Sequence, residues 1–221
     1  RRQRQMCIRD RPYIYVPGGY DGLGGLDTMQ RYDPVADEVT TVAPMPVANF
    51  AHATTALDGK IYVMGGAITG TVGTTNYIYD VASNTWDSGA PLPTAVQYPA
   101  VTTDGTYIYV LGGNTTNLAT VQRYDPVGDS WDTIADMNTA RGGAAAFFDG
   151  KNVWVVNGGW AQYLASVEYW DGVEWQTGPP TNGRARTLGA AFGGGMGVKA
   201  GGWDGTCLLY TSPSPRDRTR S

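Results

Sequence analysis

Short apolar runs ending on a glycine pair recur along the chain. Tyr13-Ile14-Tyr15-Val16 leads into Gly18-Gly19, and Ile61-Tyr62-Val63-Met64 into Gly65-Gly66. Tyr107-Ile108-Tyr109-Val110-Leu111 leads into Gly112-Gly113, and Val153-Trp154-Val155-Val156 into Gly158-Gly159. A fifth, weaker copy is Met196 to Ala200 before Gly201-Gly202. The first glycines stand at 18, 65, 112, 158 and 201, so the spacings are 47, 47, 46 and 43 residues. A period of that size marks stacked supersecondary units, each too small to bury its own apolar faces.

The rest of each unit keeps the same register. A tyrosine follows each pair (Tyr32, Tyr79, Tyr124, Tyr169), and six or seven residues later comes a large apolar residue (Val39, Trp86, Trp131, Trp175). Turn-prone tracts such as Asp33-Pro34 and Asp125-Pro126 lie between, as a hairpin requires. A proline- or methionine-bearing link follows (Pro44-Met45-Pro46, Pro91-Leu92-Pro93, Met137-Asn138, Pro179-Pro180), and then an alanine-rich run. That run enters Asp58-Gly59, Asp104-Gly105 or Asp149-Gly150. Asp-Gly between two apolar runs favours a tight hairpin, because both central residues need positive φ. Each unit therefore reads as four short antiparallel strands, a to d.

The glycine pair, the spaced tyrosine and the tryptophan resemble the kelch repeat over nearly all of residues 13 to 205. The resemblance implies an all-β fold: a kelch-type β-propeller in which every repeat is one four-stranded blade around a central channel. Strands b to d of one blade, three complete blades (about 48–89, 95–134 and 140–177) and strands a and b of another are expected. Such a set is an incomplete arc. Tyr79, Tyr124 and Tyr169 are expected at equivalent buried positions between blades.

The two ends fit no part of the repeat. Residues 1–11 are similar to one reading frame of transposase-type sequencing-adapter DNA, and residues 207–221 to the opposite strand of the same adapter. On that reading the native segment is 12–206. The charge of the chain then changes meaning. The chain carries 16 basic and 20 acidic residues, net −4. Eight of the basic residues but only two of the acidic ones lie in the ends, leaving 8 against 18 and a net charge of −10 for residues 12–206. A nucleic-acid surface needs clustered positive charge, so nucleic acid is excluded as a partner. Both cysteines, Cys7 and Cys207, lie in the ends and say nothing of redox compartment. No apolar run of 18 or more residues suggests membrane insertion.

Catalytic constellations are thin. His52 is the only histidine, so no zinc site can be assembled from histidines, and it reads as a packed side chain or a general base. Asp21 and Asp27 flank Gly22-Leu23-Gly24-Gly25, either as a glycine-rich hairpin loop or as a weak calcium pair. No Gly-x-Ser-x-Gly elbow occurs. Galactose oxidase shares the kelch fold and binds copper through tyrosine and histidine, with a cysteine-linked tyrosine. One histidine and no native cysteine put such a site outside residues 12–206. A galactose-oxidase-like propeller whose metal ligands lie in blades outside this fragment stays open as an alternative. No metal and no cofactor is called for.

Binding geometry is more informative. In an a-b-c-d meander, strand b ends on the side where strand a began, so residues entering a and residues following the glycine pair share one end of the ring. The first set is Asn49, Gln97, Arg141 and Arg186; the second is Tyr20, Ala67, Asn114, Trp160 and Trp203. In kelch propellers these positions line the mouth of the channel. Arginines beside tryptophans can grip a carboxylate and stack an apolar or sugar face. Alternatively, Arg141 and Arg186 bridge neighbouring blades through backbone carbonyls. Two functions remain. One is a non-catalytic module binding a protein, peptide or acidic carbohydrate at the rim formed by the d–a and b–c loops. The other is a kelch-fold sugar enzyme resembling sialic-acid mutarotase, for which an arginine cluster with a nearby glutamate is needed. Glu168 and Glu174 fall in strands c and d, away from the channel, which favours binding.

Overall fold

The computed structural model describes residues 13–114, 116–160, 162–181, 183, 186, 189–193 and 196–203. The chain ends assigned to adapter DNA lie outside these residues. All regular structure among them is β. The first sheet holds β1 (Ile14–Pro17), β2 (Met29–Asp33) and β3 (Glu38–Val42), in that order. The second blade is built from β4 (Ala53–Leu57), β5 (Lys60–Met64), β8 (Asn76–Asp80) and β9 (Thr85–Ser88). A small hairpin, β6 (Ala67–Ile68) and β7 (Thr71–Val72), sits inside its b–c loop. The third blade is β10 (Ala100–Thr103), β11 (Ile108–Leu111), β12 (Val121–Asp125) and β13 (Ser130–Ile134). The fourth is β14 (Ala145–Phe148), β15 (Val153–Val156), β16 (Val167–Trp170) and β17 (Trp175–Gly178). A final pair comprises β18 (Gly189–Gly193) and β19 (Met196–Ala200).

Every sheet is an antiparallel meander, and the first strands of successive blades lie side by side: β4 with β10, β10 with β14, β14 with β18. Those strands form the inner wall of an arc of blades. The b strands of the second, third and fourth blades (β5, β11 and β15) are apolar on both faces because both are covered. Tyr62 and Met64 of β5 pack on Ile108, Val110 and Tyr124 of the next blade. Ile61 and Tyr79 meet Met29 and Tyr15 of the preceding one. Tyr79 and Tyr124 are buried, as expected.

A repeated latch joins the blades. The indole N–H groups of Trp86, Trp131 and Trp175 each donate to a carbonyl in the link leaving the preceding blade: Ala43, Ala90 and Ala135, all at 2.8 Å. Beside two of these latches, Tyr79 and Tyr124 donate their hydroxyls to Asn84 Oδ1 (2.7 Å) and Asp129 Oδ1 (2.6 Å). Those same oxygens accept the backbone N–H of Ala43 and Ala90.

The fourth blade departs from the expected register by one residue. Ile14, Ile61 and Ile108 pair with Tyr32, Tyr79 and Tyr124, whereas Val153 pairs with Trp170. Trp170, not Tyr169, is therefore the equivalent of those tyrosines. Tyr169 points to the other face and stacks on Trp154, with centroids 4.5 Å apart. The cause is a c–d hairpin two residues shorter, in which Trp170 faces Trp175 where Tyr124 faces Trp131. A one-residue slip exchanges the faces of a strand. The glycine pair is displaced likewise. Gly18, Gly65 and Gly112 donate to the carbonyls of Thr28, Thr75 and Thr120, and in the fourth blade Asn157 donates to Ser166 instead. Asn157 has φ 57, close to the 60 of Gly112, and asparagine tolerates that left-handed conformation better than most side chains.

Candidate functional site

The links entering β4, β10, β14 and β18 meet the b–c loops at one end of the arc. Three residues ahead of the inner strand, backbone groups pair with the residue after the glycine pair. Phe50 and Ala67 exchange hydrogen bonds, as do Arg186 and Trp203, and Asn114 N–H donates to Gln97 O at 2.6 Å. This register sets Gln97 beside Asn114 and Arg186 beside Trp203 at that end of the arc, and the Asn114 side chain is itself tied to the link through Gln97 N–H and Ala95 O.

One residue earlier the chain faces the opposite way. Asn49 and Arg141, expected at the mouth, lie four residues ahead of the inner strand and are fully buried in the wall. Both bind a neighbouring b–c loop through backbone: Asn49 N–H to Leu26 O, and Arg141 N–H to Leu118 O. Asn49 Nδ2 donates to Gly65 O at 2.9 Å. Arg141 donates to the carbonyls of Thr139, Asn157 and Ser166, to Ser166 Oγ, and to the Glu168 carboxylate. Glu168 Oε2 also accepts the Asn138 N–H at 2.7 Å. Burial pulls the Arg141 pKa down and Glu168 opposes that pull. The arginine–glutamate pair that sugar chemistry needs is present, but enclosed between strand and link.

Arg186 differs. Its guanidinium carbon lies 4.1 Å over the Trp160 ring and 5.4 Å from the centre of Tyr163. Trp160 in turn packs on Tyr98 at 4.5 Å. Among the described residues no carboxylate pairs with Arg186. Trp160 is held from behind: Asn117 Oδ1 accepts its backbone N–H and that of Gly142, both at 3.0 Å. Tyr98 is fixed by a belt of backbone bonds, Tyr98 N–H to Ala51 O and Gly143 N–H to Tyr98 O. The cluster thus draws on the links before the third blade and the last sheet, and on the b–c loop of the fourth blade. Tyr20 stands apart from it, exposed and packed on Phe50 at 5.1 Å.

Tyr98, Tyr163, Asn117 and Phe50 were not expected from sequence. Tyr98 carried a signal, since it immediately follows Gln97 in the same link. Asn117 and Tyr163 carried none, because b–c loops vary in length and composition.

A cleft of about 230 Å³ runs along the inner strands, lined by His52, Thr54, Pro99, Val101, Ala144 and Ala190 among others. Desolvation lowers the His52 pKa to about 4 and a hydrogen bond to the Pro17 carbonyl opposes it only in part. Its Nδ1 is buried without a partner. The ring is therefore neutral at pH 7. Asp21 Oδ1 caps its own loop by accepting the N–H groups of Leu23 and Gly24, and these bonds lower its pKa. Among the described residues no three carboxylate, histidine or cysteine side chains converge as a metal site.

Comparison with known proteins matches this architecture. Models of the kelch motif match residues 10–46, 48–93 and 97–138. Kelch-like protein 35 of Homo sapiens is 39% identical over 61 residues, 28% of this chain and 10% of that protein. Kelch-like protein 23 of Mus musculus is 36% identical over 77 residues, 34% of this chain and 14% of the relative. Kelch-like protein 21 of Bos taurus is 45% identical over 51 residues, 23% and 8% respectively. The chain thus spans a small fraction of each relative's length. The solved structure of YjhT superposes with a TM-score of 0.81 over 91% of this chain and 77% of that one, at 15% identity, and so shares the fold. With motif matches over more than half its length and the blade geometry to go with them, the chain belongs to the kelch-repeat family.

Proposed function

We propose that the chain is a non-catalytic binding module that recognises a carboxylate-bearing peptide segment of a protein partner at the mouth of the channel. The observation that carries this reading is the Arg186 guanidinium over the Trp160 ring at 4.1 Å, with Tyr163 beside it and Tyr98 against Trp160. An aromatic face orients the guanidinium and leaves its N–H edge free for bidentate capture of a carboxylate. In an acidic segment, a local positive charge framed by rings selects an anionic group with an apolar neighbour. Gln97 and Trp203 extend this surface with an amide and a second indole, while the Asn114 side chain braces the link by accepting the Gln97 N–H. Kelch family membership supports a protein partner over a sugar. Enclosure of Arg141 and Glu168 in the wall favours binding over mutarotase-like chemistry.

Fluorescence polarisation against an array of acidic peptides tests the proposal. Arg186→Ala should weaken the best binder about tenfold to a hundredfold, the scale of a charged hydrogen bond. Trp160→Ala should weaken it too, with the melting temperature of both variants near wild type. Equal affinity of wild type and Arg186→Ala would overturn the site. Accelerated anomer exchange of N-acetylneuraminate in NMR would overturn the non-catalytic reading.

A further inference from the structure

The second blade breaks the repeat at one place on its outer half, on the face toward the third blade. In the first and third blades this place is filled from within. The Arg31 guanidinium lies 4.5 Å over the Tyr13 ring, and that of Arg123 lies 4.5 Å over Tyr107. Each arginine also meets the side chain facing it on strand d: Arg31 Nε donates to Thr40 Oγ1 at 3.3 Å, and Arg123 pairs with Asp132 at 2.9 Å. Strand pairing gives the equivalents in the second blade. Ile78 faces Asp87 as Arg123 faces Asp132, and Lys60 precedes Ile61 as Tyr107 precedes Ile108. The carboxylate of the pattern is kept, but the arginine and its ring are gone. In their place is a notch of about 270 Å³ lined by Lys60, Ile78, Asp80, Ser83, Thr85 and Asp87. The second and third blades both hold all four strands, so no missing strand opens it.

The charges of the notch do not balance. Asp80 Oδ1 accepts the Ser83 N–H at 2.8 Å and the Ser83 hydroxyl at 2.9 Å, and the Lys60 ammonium acts on the same carboxylate. Asp87 Oδ1 accepts the N–H of its neighbour Ser88, and among the described residues no cation pairs with Asp87. With Ser83 donating to Asp80, Thr85 donates to Ser83 Oγ at 2.7 Å, which leaves lone pairs on Thr85 Oγ1 to accept.

We propose that this notch binds an arginine side chain of a protein partner, which takes the place that Arg123 holds in the third blade. The methylene stem lies on Ile78, the guanidinium donates to Asp87 and to Thr85 Oγ1, and Lys60 with Asp80 walls the far side. A guanidinium suits the notch better than an ammonium. Its planar fork reaches a carboxylate and a hydroxyl at once, and its weaker hydration tolerates an isoleucine floor. The notch is separate from Arg186 and Trp160, and its occupancy does not rest on the carboxylate recognition proposed there.

Methyl and amide NMR of the isotope-labelled full chain, titrated with N-acetyl-arginine amide, tests this. Saturable shifts should centre on the Ile78 methyl groups and the Thr85 and Asp87 amides. N-acetyl-lysine amide should bind about threefold or more weakly, lacking the fork. Asp87→Asn should weaken arginine binding about fivefold, the scale of an exposed ion pair. Lys60→Tyr combined with Ile78→Arg rebuilds the internal pair of the third blade and should abolish binding. Asp87→Asn, at an exposed position, decides the matter alone should that double variant fold poorly. Asp132→Asn, in the third blade, should leave the titration unchanged. Equal shifts with both amides, or shifts spread over the other acidic hairpins, would overturn the proposal. So would wild-type affinity in Asp87→Asn or in a folded double variant.

Discussion

Replacing Arg141 by alanine separates a wall residue from a ligand residue more sharply than any other change in this chain. The guanidinium is fully buried and supplies hydrogen bonds to three carbonyls, one hydroxyl and one carboxylate. Its removal leaves the buried Glu168 carboxyl without its cation, the Asn138 N–H being its remaining described partner. Breaking a buried ion pair from one side costs about 3–5 kcal/mol, because the surviving charge loses its compensation. At 2–4 °C per kcal/mol for a chain of this size, the melting temperature should fall by about 6–20 °C. The companion variant is Arg141→Met with Glu168→Leu, which removes both charges and keeps the volume. It should recover most of the loss, since an apolar pair of similar size is often as stable as the ion pair it replaces. Scanning calorimetry and urea titration read both quantities. An Arg141→Ala variant within about 1 kcal/mol of wild type would refute the wall assignment. So would a double variant as unstable as the single one, since Glu168 would then not be the group left stranded.

Acid should act on His52 before it acts on the carboxylates. The folded pKa of about 4 lies below the ordinary 6.5, so the unfolded chain takes up the proton first. Stability should be level above pH 6.5 and fall between 6.5 and 4, by up to about 3 kcal/mol. Asp80, Asp129 and Asp149, whose pKa values are lowered, release their contribution only below the usual aspartate range. His52→Gln should flatten the decline between pH 6.5 and 4 in a urea series; an unaltered slope would show that another group titrates there. Glycine substitutions should divide by space. Gly112 has φ 60 and a Cβ there would overlap the carbonyl oxygens of Arg141 and Leu118, so Gly112→Ala should cost well over 3 kcal/mol. Gly105, with φ 92 and nothing near its Cβ position, should lose only about 1–2 kcal/mol as alanine, measured by thermal melts of the two variants.

Most of the fold was legible because each blade states it in several independent ways. The b strand ends where two residues take positive φ, and in three blades the d strand carries a tryptophan that reaches the previous link. The tight Asp-Gly hairpin holds only at Asp58-Gly59; Asp104 and Asp149 open four-residue turns in which the glycine alone has positive φ. Where the chain meets one of these needs with a different residue, the pattern misleads. Gly158-Gly159 looks like the pair, yet Asn157 fills its first position and spends its amide on Leu164 O, Thr181 Oγ1 and Gly183 O. A glycine there would supply the φ but none of those bonds. The loss of two residues from the c–d hairpin likewise makes Tyr169 look equivalent to Tyr124, while pairing gives that place to Trp170.

The candidate site was legible as a region but not residue by residue, and the reason lies in the links. Which side a link residue faces is decided by its distance from the inner strand, three residues for pairing with the b–c loop after the glycine pair and four for burial in the wall. Counting back from sequence alone assumes extended backbone, in which side chains alternate. These links are not extended throughout: Ala51, Tyr98 and Gly143, two residues ahead of β4, β10 and β14, have φ of 56, 53 and 63. Neither alanine nor tyrosine announces a left-handed residue, so the break in alternation leaves no mark in the sequence. It is imposed from outside, by the Tyr98 N–H to Ala51 O and Gly143 N–H to Tyr98 O bonds that tie successive blades. The same belt sets Tyr98 against Trp160, and Trp160 carries Arg186. Joining the blades and setting the Tyr98–Trp160–Arg186 cluster are therefore one set of bonds, and the cluster could not be read until the blades were placed side by side.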